Sequence, residues 1–218
     1  MTKVPQAGKV KTRLQPFLTA QQSAEISVCF LQDAEQKAKT VTQNLIVAFS
    51  PIEEKNLLID ILQTKPILAE QKGENLGERM FHAFEFAFSQ KSDAVVMIGT
   101  DSPTFPAEFI KQAFIFLETK ADAVLGKTED GGFYLIGLRK LDKRIFENVE
   151  WSSPKTFEQT KQNIENLNLS LNEIPVWYDV DTPEDLKRLE KELAENSQLA
   201  PKTSEFLDGL KLPLKANE

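Results

Sequence analysis

Apolar positions along the chain alternate between two periods. From Ser23 to Lys39, the small or apolar residues Ala24, Val28, Leu31 and Ala38 mark one face of a helix. Next comes Leu45-Ile46-Val47-Ala48-Phe49, a continuous apolar run closed by Ser50-Pro51. Such a run predicts a strand buried on both faces. Pro51 suits the first turn of a following helix that carries Leu57, Leu58, Ile61 and Leu62. Ile67-Leu68-Ala69 predicts a further short strand. Leu76 to Ser89 is an amphipathic helix by pattern, since Met80, Phe84 and Phe88 stand four residues apart. The clearest strand is Ala94–Ile98, and a helix from Pro106 to Thr119 follows it. Ala123-Val124-Leu125 and Phe133-Tyr134-Leu135-Ile136 predict two more strands, separated by Asp130-Gly131-Gly132. A helix over 154–166, a strand over Leu171–Val176 and a charged helix from Pro183 to Ala194 complete the pattern. Strands alternating with helices of this length predict an α/β fold with a mainly parallel central sheet. The residues from 196 to 218, with Pro201 and Pro213, read as a loosely attached tail behind one domain over 1–195.

Composition narrows the function. The chain has 218 residues, 26 Lys plus Arg against 33 Asp plus Glu, and a net charge of -7. An acidic surface disfavours broad binding to nucleic acid or a membrane, although a local basic cluster can still hold a small phosphate ligand. Cys29 is the one cysteine, which excludes an intrachain disulfide and a four-cysteine zinc site. His82 is the one histidine, so histidine-cage metal sites and Ser-His-Asp triads are excluded as well. No apolar run is long enough to span a bilayer and no signal-peptide pattern opens the chain, so the expected location is cytoplasmic.

Ligands of open α/β sheets gather beyond the carboxyl ends of the strands, and three segments place unusual residues there. Lys3-Val4-Pro5-Gln6-Ala7-Gly8-Lys9-Val10-Lys11-Thr12-Arg13-Leu14 concentrates four cations in an acidic chain. Gly8 lets backbone amides approach a ligand, Arg13 can hold phosphate through two parallel hydrogen bonds, and Lys9 and Lys11 act as mobile point charges. The plain alternative is a solvated basic segment. Gly99-Thr100-Asp101-Ser102-Pro103 puts a carboxylate after the clearest strand, where Mg²⁺ or Mn²⁺ carrying a diphosphate would find an oxygen ligand; Asp101 equally suits a turn or helix cap. In Tyr178-Asp179-Val180-Asp181-Thr182-Pro183-Glu184-Asp185, capping accounts for Thr182, Pro183 and Asp185. It does not account for Asp179 and Asp181, which are candidates for the same metal. Asp130-Gly131-Gly132 is either a hairpin turn or a close-approach loop. Leu76-Gly77-Glu78 opens a helix whose first amides can face a base or phosphate, and Trp151-Ser152 either lines a pocket or caps the next helix.

Taken together, the segments resemble a known family. K-x-P-x-x-G-x-x-K-T-R-L, G-x-D-x-P, D-G-G-F-Y-L-I-G-L, W-S-S and D-V-D-T-P-E-D-L occur in the order found in the DUF2064 family, and the likeness spans residues 3–193. That group is classed with GT-A transferases, alongside 2-phospholactate guanylyltransferase and the molybdenum-cofactor nucleotidyltransferase. The resemblance implies a three-layer nucleotide-diphospho-sugar transferase fold. It implies phosphate contacts from Gly8, Lys9, Lys11 and Arg13, metal contacts from Asp101 and Asp181, and a nucleotide-side role for Leu76, Gly77 and Glu78. It also puts Gly131, Gly132, Phe133, Trp151 and Ser152 on the acceptor side. Two departures stand out. The resemblance implies an apolar first strand ahead of the K-x-P segment, yet only Met1 and Thr2 precede Lys3. Either the start lies further upstream, or a central strand is missing and its loss would lower solubility or activity. Lys127 also stands where proline is common before the D-G-G turn.

These readings lead to a Mg²⁺- or Mn²⁺-dependent transferase acting on an activated nucleotide, with a lean to nucleotidyl transfer. Lys11 and Arg13 would stabilise phosphate charge, and Asp130 is the candidate proton acceptor. Glycosyl transfer from a nucleotide sugar is the neighbouring alternative, with a catalytically inactive nucleotide- or partner-binding module as a third.

Overall fold

The computed structural model describes residues 1–15 and 17–210. Their strands are β1 (Thr2–Lys3), β2 (Ile46–Ser50), β3 (Ile67–Glu70), β4 (Val95–Ile98), β5 (Ala123–Thr128), β6 (Phe133–Leu138) and β7 (Leu171–Trp177). The helices are α1 (Ala20–Val41), α2 (Lys55–Ile61), α3 (Leu76–Ser89), α4 (Ala107–Thr119), α5 (Thr156–Asn166), α6 (Pro183–Glu195) and α7 (Pro201–Leu210). The strands form two sheets, in the orders β1-β2-β3 and β4-β6-β5-β7. All pairings are parallel except those of β6, which runs against both β4 and β5. Residues 129–132 are too few for a crossover, so β5 and β6 are joined as a hairpin.

Side chains alternate between two helical layers. On the larger sheet, Val124 and Leu135 pack with Ile110, Ala113 and Leu117 of α4. Their neighbours Ala123, Leu125, Ile136 and Leu138 turn the other way, toward Met80 and Phe84 of α3 and Phe157 and Ile164 of α5. This period of two explains why the strands read as unbroken apolar runs: both faces are covered. α1 begins at Ala20, three residues ahead of the expected Ser23, because Thr19 and Gln22 form a capping box.

The carboxyl-terminal segment corrects the sequence expectation. Pro201–Leu210 is a packed helix and not a loose tail. The buried Asp33 carboxylate on α1 accepts from the Lys202 and Thr203 amides, both at 2.9 Å, and from the Thr203 hydroxyl at 2.6 Å. Ala200 and Leu207 join Phe30 and Leu189 in one apolar cluster. Pro201 thus starts a helix, as proline does well in a first turn. Pro213 lies outside the described residues.

The amino-terminal strand is a two-residue stub. Thr2 and Lys3 pair with Phe49 and Ser50 only, which leaves Ile46, Val47 and Ala48 with no strand on that side among the described residues. Across from them runs β4, which the Met1 α-amino group reaches by donating to the Ile98 carbonyl at 2.7 Å. Burial pulls the pKa of that amino group down to about 6. Between β2 and β4 lies a slot of about 360 Å³, lined by Leu31, Ala38, Val47, Ala87, Val96 and Phe114 among others. The register of β1 carries any residue placed ahead of Met1 onto Val47 and then Ile46. Four apolar residues fused before Met1 are expected to fill the slot as a strand and raise Tm by about 5–10 °C over a Gly-Ser extension of equal length. Equal melting temperatures for the two would show that the slot takes no strand.

Candidate active site

The loop after β1 is built to present cations. Val4 is buried and its amide donates to the Ser50 carbonyl at 2.8 Å, so the loop leaves the sheet from a fixed point. Gly8 has φ +76, a conformation glycine adopts without strain. Leu14, fully buried, anchors the far end through a short 3-10 turn over Thr12–Leu14. Between these anchors Lys9 and Arg13 are exposed, whereas Lys11 is folded inward with a left-handed backbone, φ 47 and ψ 38. A non-glycine residue held there costs about 1–2 kcal/mol, which its surroundings must offset.

Those surroundings are the ends of two other strands. The Val180 amide donates to the Asp101 carbonyl at 2.8 Å, joining the loop after β4 to the segment between β7 and α6. Tyr178 and Val180 alternate into the core, so Asp179 and Asp181 face the opposite way. Thr182 and Asp185 form a reciprocal capping box, and the Asp185 carboxylate also accepts from the Asp181 amide at 3.1 Å. The Lys11 ammonium then donates to the Val180 carbonyl at 2.8 Å, to Asp181 Oδ1 at 2.9 Å and to the Asp101 carboxylate. Its side chain is 6% exposed, against 52% for Asp101 and 40% for Asp181. Burial alone would lower the Lys11 pKa, but Asp101 and Asp181 outweigh it and the pKa lies above the ordinary lysine value. Asp179 accepts from the Ser102 hydroxyl. Burial pushes its carboxyl up to about 7, against the lowering effect of the Ser102 hydroxyl, and the Asp101 charge adds to the rise.

Charged side chains of these three segments open into one cavity of about 730 Å³, which Gly8 does not line. That is within the usual range for a small-molecule site. Lys9, Lys11, Arg13, Asp101, Asp179 and Asp181 form one side. Asp130, Gly132, Phe133 and Ser152 lie on the cavity wall too, as do Leu76 and Met80 of α3. Asp130 Oδ1 accepts from the Thr128 hydroxyl at 2.6 Å and the Gly132 amide at 3.0 Å, so the residue shapes the hairpin while standing at the cavity edge. Lys127 pairs with Glu158 at 2.8 Å and lies over the Phe157 ring, on the strand leading into that turn.

Other residues singled out in the sequence take supporting positions. Glu78 turns back to accept from the Glu74 amide at 2.8 Å, an N-terminal cap of its own helix. Gly77 lies beneath Trp151, where an added Cβ would stand 2.5 Å from the indole. Gly131, with φ +91, meets the Pro154 carbonyl, leaving no room for a side chain. Cys29 is half-buried and its thiol is pushed up to about 11 by burial, which suits packing rather than nucleophilic chemistry. His82 is a surface neighbour of Glu85, at 3.3 Å. Three contributors escaped the sequence reading: Phe30 beneath the Lys11 ammonium, the Val180 carbonyl, and Gln71, whose amide bridges the Thr2 and Ala48 carbonyls. Gln71 directly follows β3, so the strand-end rule could have found it.

The donor set suits a hard divalent cation in one mode. Among the described residues no group of three or more His, Cys, Asp or Glu side chains is arranged to hold a metal ion. Asp101 and Asp181 nevertheless converge on one positive charge, and Mg²⁺ is commonly held by one or two carboxylates together with substrate phosphates and water.

A three-layer α/β sandwich with cationic and acidic loops beyond the carboxyl ends of its strands defines a nucleotide-diphospho-sugar transferase-like fold. Residues 19–153 match the family described as "Uncharacterized protein conserved in bacteria (DUF2064)", and the chain belongs to that family. It is similar, at 32% identity and TM-score 0.89, to a candidate nucleotide-diphospho-sugar transferase from Desulfovibrio desulfuricans G20, over 95% of this chain and 91% of that one. The fold is shared with 4-diphosphocytidyl-2C-methyl-D-erythritol synthase from Anaerococcus prevotii DSM 20548, with TM-score 0.58, 13% identity and coverage of 88% and 95%. It is shared as well with the inositol-1-phosphate CTP transferase from T. maritima, with TM-score 0.52, 15% identity and 95% of each chain covered. No curated protein matches the sequence. Among the described residues no helix is long and apolar enough to cross a membrane.

The contact between Gly77 and Trp151 yields a direct check. Gly77→Ala forces the indole aside, an overpacking cost of about 1–3 kcal/mol that corresponds to a Tm lower by roughly 2–10 °C. In a Trp151→Ala background the same substitution should be nearly silent, so calorimetry of the four proteins measures the coupling.

Proposed function

We infer that the protein is a divalent-metal-dependent transferase acting on an activated nucleotide, and that the reaction is nucleotidyl transfer. One observation carries the reading: two carboxylates from separate strand ends meet one cation beside a cationic loop, inside a cavity large enough for a nucleotide. The fold likeness to cytidylyltransferases supports it.

In this reading Arg13 and Lys9 reach out from the mouth of the cavity to the phosphates. Arg13 binds them through its fork of donors and Lys9 as a point charge. Lys11 supplies a third positive charge from below. Bound to Asp101 and Asp181, Mg²⁺ or Mn²⁺ would neutralise charge on the phosphate oxygens. Asp179 stands behind the pair, held by Ser102, as a further carboxylate on the same side. An acceptor hydroxyl on the Phe133 and Ser152 side would attack the α-phosphorus, and the bond to the bridging oxygen would break to release pyrophosphate. Asp130 takes the acceptor's proton, using the carboxylate that already fixes the hairpin.

Glycosyl transfer is the second reading, favoured by the likeness to the D. desulfuricans protein. The same loops would then hold a nucleoside diphosphate as leaving group. A thermal-shift panel of nucleoside triphosphates and nucleotide sugars with Mn²⁺ tests both, since a ligand at 100 times its Kd adds about 2.7 kcal/mol of stability. Pyrophosphate among the products is expected; a nucleoside diphosphate released from a sugar donor would replace the first reading by the second. Asp101→Ala should abolish the metal-dependent part of any shift. A shift that survives intact would remove Asp101 from the metal site, and tight binding without turnover or metal effect would leave a binding module.

A further inference from the structure

The cation position between Asp101 and Asp181 is already filled by the protein itself. An ammonium has three hydrogens to donate, and three acceptors meet that of Lys11: the Val180 carbonyl, Asp181 Oδ1 and the Asp101 carboxylate. Among the ion pairs of the described residues, Lys11 alone bridges two carboxylates. Phe30 lies on another side, its ring centroid 5.5 Å from the nitrogen. Lys11 has a left-handed backbone and its side chain is 6% exposed, so the ammonium is enclosed by these partners and is not free in solvent.

A divalent ion held by the same oxygens would stand beside this ammonium in a half-buried place, where like charges repel far more strongly than in water. Metal alone offers Lys11 no new acceptor, so entry would strip a buried charge of its partners. Polyphosphate removes that obstacle. Its oxygens supply acceptors within the same cavity, and the four-carbon stem of lysine lets the ammonium move to them while its backbone stays fixed.

Building on the nucleotide reading of this cleft, we propose that Lys11 is a positioning residue that keeps the divalent seat between Asp101 and Asp181 closed until polyphosphate arrives. The ammonium then passes to the phosphate oxygens as the metal takes its place. Metal and polyphosphate are therefore positively coupled, each raising the affinity for the other by the same factor. Part of that coupling resides in Lys11.

The experiment titrates the full chain with Mn²⁺ in the absence of nucleotide, following loss of the free hexaaqua Mn²⁺ signal by electron paramagnetic resonance. Wild type is expected to bind weakly, and Lys11→Met at least about tenfold more tightly. Arg13→Met, which removes an exposed cation from the same loop, should change the affinity by less than about threefold, since screening by water weakens its effect. Adding Asp101→Ala to Lys11→Met should return binding to the weak level. Lys11→Gln gives the same comparison with a side chain that keeps a donor, should the Met variant fold poorly. Its Tm, lowered by two carboxylates left facing each other, should recover with Mn²⁺. Wild type binding Mn²⁺ as tightly as the Lys11 variants, or Arg13→Met gaining as much as they do, overturns the proposal. Failure of the nucleotide reading looks different: no nucleoside triphosphate or nucleotide sugar then stabilises wild type with Mn²⁺, whatever the Lys11 variants bind.

Discussion

One buried ammonium, that of Lys11, ties together three segments that lie far apart in sequence. The loop after β1 supplies the charge, the loop after β4 supplies Asp101, and the turn between β7 and α6 supplies Asp181 and the Val180 carbonyl. Each segment is also fixed from behind: the first by buried Val4 and Leu14, the last two by the hydrogen bond from the Val180 amide to the Asp101 carbonyl. Removing the carboxylates would leave the Lys11 ammonium, only 6% exposed, without compensating charge. The geometry of this side of the cavity therefore rests on this charge balance together with the apolar anchors Val4 and Leu14.

Behind the cavity residues Leu76, Gly132 and Phe133, close packing depends on absent side chains. Gly77 allows Trp151 to settle on the first turn of α3, and Gly131 allows the hairpin turn to meet Pro154 before α5. Trp151 in turn stands edge-on to Phe133, with ring centroids 6.4 Å apart. A hairpin, a helix start and an aromatic ring are thus packed together behind that wall by close approach of backbone, which glycine permits.

Sheet continuity ties these walls to the scaffold. β1 is only two residues long, yet it stands between the two sheets, paired to β2 and linked to Ile98 of β4 through the Met1 amino group. Gln71 reinforces the joint by donating to the Thr2 and Ala48 carbonyls. The cationic loop therefore starts at the end of this two-residue strand, next to an apolar slot. Apolar residues around an unfilled slot lose contacts that a packed strand would give them.

Much of this was legible in the chain itself. Unbroken apolar runs at 45–49 and 94–98 marked two strands by pattern; β2 is buried over Val47–Phe49, whereas β4 stays half-buried beside the slot. Thr182-Pro183 and its acidic followers marked the start of α6 by local hydrogen bonding, and Asp101, Asp181 and Lys11 stood out as charges at strand ends. What sequence could not decide was long-range. Pro201 read as part of a loose tail over 196–218, whereas Asp33, on α1, caps the helix that Pro201 opens. Gly77 and Glu78 stood out only as a helix start; that Trp151 lies against Gly77 and that the Glu74 amide donates to Glu78 is visible only in the fold. Nothing in the spacing of residues 11, 101 and 181 states that they meet at one nitrogen. Periodicity and capping are properties of neighbours along the chain, so composition order alone determines them. The meeting of distant charges depends on strand order and register, which only the folded sheet sets.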